Sequence, residues 1–173
     1  MKTHSQLVLA TAFAMVAACG AKSPPEPAAP APAPAPAGTA APASAARDVS
    51  ALKACEIVKP EEVATIVGGK LLNEPPAGFP NCAYVLDVNG TTESYRIAFA
   101  DPGVYTAMLE MQGEDERGEK LDGLWDEAYV QPRAMGDGVS VIVIKRGDLA
   151  LEASGPRKEP AVEIARLAVS RIQ

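Results

Sequence analysis

The chain is nearly without histidine. Its single copy, His4, falls in a segment that reads as an export leader, so the processed chain carries none. That removes imidazole metal sites, histidine-centred triads and the usual general base at neutral pH. Nucleophile motifs are missing as well: there is no Gly-x-Ser-x-Gly and no phosphate-binding glycine loop. No apolar run approaches the roughly 20 residues that span a bilayer. Tryptophan occurs once, at Trp125, and cysteine three times. Basic side chains number 16 against 22 acidic ones, an imbalance that disfavours nucleic acid and gives no attraction to anionic headgroups. Together these gaps predict a protein that is not an enzyme, with no cofactor, no metal and no nucleic-acid partner.

What is present begins with the leader. Residues 1–6 carry one firm charge, Lys2; residues 7–15 are apolar; Val16, Ala17 and Ala18 are small. This is the three-part plan of a secretory signal, with an apolar stretch too short to be a span. The run Val16-Ala17-Ala18-Cys19 resembles the lipobox of bacterial lipoproteins. The resemblance implies a signal peptide over residues 1–18 and a mature chain that starts at Cys19 and carries acyl chains, palmitate-like in length. Two such chains already anchor stably, because each buried CH₂ contributes ~0.8 kcal/mol. The protein is then expected in the cell envelope, outside the cytoplasm. Gly20 and Ala21 follow the cysteine and no Asp does, which points to the periplasmic side of the outer membrane if the cell has two membranes. Cysteine arithmetic agrees: with Cys19 lipidated, Cys55 and Cys82 remain to pair in an oxidising compartment. Chain-entropy estimates put such a bridge at about 3–4 kcal/mol.

Residues 19–46 are almost wholly Ala, Pro, Ser, Gly and Thr. Such a segment cannot bury enough apolar surface to fold. The Ala-Pro alternation of its core, residues 24–42, predicts an extended polyproline stalk that reaches roughly 60 Å at ~3.1 Å per residue. Residues 47–173 are enough for one domain. Pro60, Glu61 and Glu62, then Gly68-Gly69, frame a short helix. Residues 81–88 alternate, with Cys82, Tyr84, Leu86 and Val88 on one face. Asn89-Gly90 marks a hairpin, and Tyr95, Ile97 and Phe99 share one face of the next strand. Residues 102–112 read as a helix with Val104, Met108 and Met111 on its apolar stripe. Further strands are expected over residues 127–131, 139–145 and 148–154. A final helix over 160–172 carries Ala161, Ile164, Ala165, Ala168 and Ile172 on one face. The expected fold is α+β, a mostly antiparallel sheet with flanking helices in the order α-β-β-α-β-β-β-α.

Gly123-Leu124-Trp125-Asp126-Glu127-Ala128-Tyr129, followed by Val143-Ile144-Lys145-Arg146-Gly147-Asp148, is similar to a motif pair of small bacterial envelope lipoproteins of uncharacterised function. The early Cys55 before a Pro-Glu-Glu helix and the Asn81-Cys82-x-Tyr84 strand share that likeness. It implies a PsbP-like domain, with Trp125 standing where those proteins have glycine. Trp125, Asp126 and Tyr129 form the candidate binding patch, since Trp and Tyr are enriched among interface anchors. Glu114-Asp115-Glu116, with Glu119 and Asp122, lacks calcium-loop spacing and reads as a solvated acidic loop. Arg146-Gly147-Asp148 is explained by turn chemistry rather than adhesion. The expected function is a membrane-anchored binding or assembly module for an envelope protein, a glycan or a small apolar ligand. The alternative is a structural tether or accessory subunit, and a carboxylate-based enzyme ranks below both. Replacing Cys19 (Cys19→Ala) is expected to move the protein to the soluble fraction on cell fractionation; tight membrane retention overturns the lipid assignment.

Overall fold

The computed structural model describes residues 47–172; the leader, Cys19 and the stalk lie outside the described residues. Two short helices lead, α1 (Ala54–Ile57) and α2 (Pro60–Val67), followed by β1 (Lys70–Leu71), β2 (Asn81–Val88) and β3 (Thr91–Ala100). Helix α3 (Pro102–Met111) comes next, then β4 (Glu119–Lys120), β5 (Glu127–Pro132), β6 (Val139–Lys145), β7 (Leu149–Gly155) and α4 (Lys158–Arg171). All seven strands join one sheet in the order β1-β2-β3-β7-β6-β5-β4, and every pair is antiparallel. The class is α+β. The element order differs from the expected one by the additional α1, β1 and β4, and the two leading helices both precede the first strand. β1 and β4 have two residues each, too short to show alternation, and exist because a neighbour offers them an edge.

The local reasons are legible element by element. Pro60 starts α2, and the Glu62 carboxylate accepts from the Lys59 N–H at 3.1 Å. The lysine side chain has no acceptor, so only that half of a capping box forms. Asn89 (φ 53°) and Gly90 (φ 82°) turn the β2–β3 hairpin in the left-handed region, and the Asp87 carboxylate accepts from Gly90 N–H at 2.7 Å. Asp101 caps α3 by accepting from Gly103 N–H, with Pro102 in its first turn.

The sheet has two covered faces. On one, Tyr84, Leu86, Tyr95, Ile97, Val141, Val143, Leu149 and Leu151 form the larger core with α1, α2 and α4. Helix α4 presents Ala161, Ala165 and Ala168 there, all fully buried. These small side chains leave room for the large ones of the strands. Arginines fasten both ends of α4 to the leading helices. Arg157, just before α4, donates to the Val67 carbonyl and the Glu93 carboxylate. Arg171 donates to the Ile57 carbonyl at 2.5 Å and pairs with Glu62. Cys55 and Cys82 form a disulfide, Cα–Cα 5.2 Å, across 27 residues of sequence. Cys55 lies inside its own short helix α1 rather than in an approach to α2.

The other face is covered in part by α3. Tyr105, Met108 and Leu109 pack there on Ile142, Ile144 and Ala150. The stripe expected for this helix is a correction: Val104 is 62% and Met111 82% exposed. The helix is apolar on several sides, so two registers fit its spacing. The one adopted buries Leu109 and lets the Tyr105 hydroxyl reach the sheet.

The free edge of β2 is closed by a side chain. Leu72 N–H donates to the Val85 carbonyl at 2.8 Å, continuing the pairing of β1. The Asn73 amide then accepts from Val85 N–H at 2.7 Å and donates to the Ala83 carbonyl at 3.0 Å. It imitates one more peptide unit and ends the ladder.

Two outcomes follow from this packing. A Cβ on Gly155 would lie 2.2 Å from Tyr95 Cδ1, and the Tyr95 ring is fully buried with its hydroxyl on Glu93. Gly155→Ala is expected to lower unfolding free energy by about 1–3 kcal/mol in denaturant titration; an unchanged midpoint contradicts this contact. The hydrogen bond from Arg171, opposed by burial and aided by the Lys59 N–H, holds the Glu62 carboxyl at about 2 against an ordinary 4.5. A depressed carboxylate contributes stability above its ordinary value and loses it as pH falls through its folded one. Glu62→Gln is therefore expected to flatten the stability profile between about 4.5 and 2, measured as melting temperature against pH.

Candidate functional site

The sheet register places polar side chains in one row on the α3 face. Gln131 of β5 is opposite Ser140 of β6, which is opposite Ser154 of β7, which is opposite Arg96 of β3. Gln131, Ser140 and Ser154 are the buried polar residues among the described ones. The next row carries Tyr129, Ile142, Glu152 and Ala98. Helix α3 lies over the apolar positions and stops short of the polar row, which leaves a cleft of about 330 Å³. Tyr105, Met108 and Gln112 form one wall; Gln131, Ser140, Ile142 and Glu152 form the floor; Pro132 and Ala134 close the end.

The polar groups of this cleft satisfy one another. Tyr105 donates its hydroxyl to Glu152 Oε2 at 3.0 Å, and Ser140 donates to Oε1 at 2.7 Å. Gln131 Nε2 donates to Gln112 Oε1 and to the Arg117 carbonyl, each at 2.9 Å. Among the described residues no buried side-chain nitrogen or oxygen lacks a partner. Burial, then the charge and hydrogen bond of Glu152, push the Tyr105 phenol above the ordinary tyrosine value, so it stays a proton donor. Met111 and Met135 are 82% and 85% exposed, and each neighbours a cleft residue in sequence, Gln112 and Ala134. Exposed, flexible methionines suit a surface that adapts to a ligand.

The patch expected from sequence is not brought together. Trp125 is half-buried against the larger core, whereas Tyr129 packs on the smaller core of the opposite face. Trp125 sits at φ 38°, a left-handed conformation that costs a bulky residue about 1–2 kcal/mol. It also breaks the strand alternation that would have put positions 125 and 129 on one face. Asp126 is exposed, with its carboxylate accepting from Arg146 N–H at 2.8 Å.

Arg146 itself pairs with Glu127. Asp148 is held by Arg47 at 3.1 Å and by Lys145 at 3.0 Å, so the Arg146-Gly147-Asp148 turn spends its charges internally. Glu114–Glu116 forms an exposed 3-10 turn, and Glu119 pairs with Lys158 at 2.5 Å. Among the described residues no group of His, Cys, Asp and Glu is placed to hold a metal ion. No helix among them is long and apolar enough to cross a membrane.

Sequence reasoning missed the cleft. A signal was there: Ser140, Glu152 and Ser154 interrupt the apolar strands β6 and β7. Their convergence with Gln131 depends on a register that sequence spacing does not reveal. Comparison with family models, curated proteins and solved structures returns no match for this chain.

Proposed function

We propose that this is an envelope-anchored binding module, tethered through Cys19 and its stalk, whose ligand enters the cleft between α3 and strands β5–β7. The observation that carries the reading is the coincidence, in one concavity, of apolar side chains (Met108, Ile142, Pro132, Ala134), two buried polar ones (Gln131, Ser140) and one carboxylate, Glu152. Ligand sites combine an apolar lining with a few fixed polar groups in this way, at volumes of roughly 300–1,000 Å³. Binding is favoured over chemistry because the cleft holds a single carboxylate, Glu152, and its neighbour Tyr105 is held protonated.

The cleft also lies along β6 and β7 at the end far from Arg47. Arg47 is bonded to the β6–β7 turn through the Asp148 carbonyl and carboxylate. Ser140 and Ser154 lie at the far ends of those strands, roughly 17 Å away at ~3.3 Å per residue.

A screen of small fragments by two-dimensional NMR on the soluble domain is expected to shift the amides of Tyr105, Gln131, Ser140 and Glu152. Ala134→Trp, a substitution at the exposed rim, should abolish those shifts. Hits that leave these amides unmoved, or none at all, overturn the cleft and favour a structural tether.

A further inference from the structure

We infer that the cleft takes a linear alkylammonium group, with the ammonium against Glu152 and the methylene chain along Met108, Ile142, Pro132 and Ala134. This rests on the cleft being the ligand site. Glu152 is the sole charged residue lining it, and among the described residues it makes no ion pair. Six other carboxylates do. Its two hydrogen bonds come from neutral hydroxyls. A carboxylate offers about four acceptor sites, so each oxygen keeps capacity toward the cleft. Glu152 is only partly buried, so its free acceptor capacity is open to a ligand, and a ligand cation adds the ion pair that the described residues do not supply.

Arg96 is the cation that the sheet places diagonally from Glu152, since Ala98 and not Arg96 is opposite it. A diagonal pair is within reach of long side chains. Yet Arg96 does not line the cleft and forms no ion pair with Glu152, although its charge acts on the Tyr105 hydroxyl that Glu152 accepts from. The carboxylate is held instead by one hydroxyl from α3, Tyr105, and one from β6, Ser140. The remaining lining is neutral, with Met108, Ile142, Pro132 and Ala134 matching methylene groups rather than a second charge. An anionic ligand meets repulsion from Glu152, the one charged residue lining the cleft. A neutral one would be served as well by glutamine.

Two sources share this chemistry: a free diamine and the lysine-type amine of a peptide. Calorimetric titrations of the intact soluble domain with cadaverine, the tripeptide Gly-Lys-Gly, 1-pentanol and hexanoate separate them. At least one of the two amines is expected to bind about tenfold or more tighter than pentanol and hexanoate. A preference between the amines names the source. Glu152→Gln should lose the amine preference while retaining its melting temperature, because the amide oxygen still accepts one hydroxyl.

The comparison of amine with alcohol uses the unaltered protein, so it stands even if that variant fails to fold. Equal affinity for amine and alcohol, or no amine binding to about 10 mM, overturns the inference. If other fragments still shift the cleft amides, the binding-module reading survives its failure. If none does, both fall.

Discussion

The pairing of β3 with β7 is what makes one sheet out of two meanders. β1-β2-β3 and β4-β5-β6-β7 are each local, built from neighbours in sequence. They meet only through the register Arg96↔Ser154 to Ala100↔Ala150. This contact is long-range and forms against loop-closure entropy. It needs Gly155, because the Tyr95 ring occupies the space a Cβ there would take. Once made, it dictates the helices. The chain leaves β3 at the sheet centre and must cross to the far edge, which puts α3 on one face. It leaves β7 at the centre again, and α4 takes the other face.

The two faces are used differently as a result. The α4 face is the larger core, sealed by a disulfide at one strand and by arginines at both helix ends. Each large side chain there stabilises by roughly 1.5–3 kcal/mol relative to exposure. The α3 face is covered by a ten-residue helix that cannot shield four strands. Polar residues tolerate that partial cover because they bond to each other. The cleft is thus where coverage runs out, and its hydrogen bonds keep the incomplete layer from costing stability.

Much of this fold was readable from residue order. Strands β2 and β6 fall where alternation and β-branched runs put them, the Asn89-Gly90 hairpin forms, and the stripe of α4 is buried as spaced. Signals that live within one element survived. What failed depended on partners. β1 and β4 are edges created by their neighbours. The face of α3 was ambiguous until Tyr105 found Glu152. Trp125 and Tyr129 would share a side only in an unbroken strand, and the left-handed turn at Trp125 breaks it. The row Gln131–Ser140–Ser154 spans three strands, and no single stretch of sequence contains it.

The disulfide has a mechanical meaning for any load applied at the N-terminal side of the described domain. Tension arriving at Arg47 first meets the bidentate contact with Asp148, then the 3-10 turn at Val49–Ala51 and the start of α1. These can peel away one after another. At Cys55 the peeling stops, because the load passes through the sulfur bridge into Cys82 and hence into β2, which is hydrogen-bonded along its length to β3. The bond acts as a covalent arrestor. The segment ahead of it, residues 47–54, is the part outside that covalent frame.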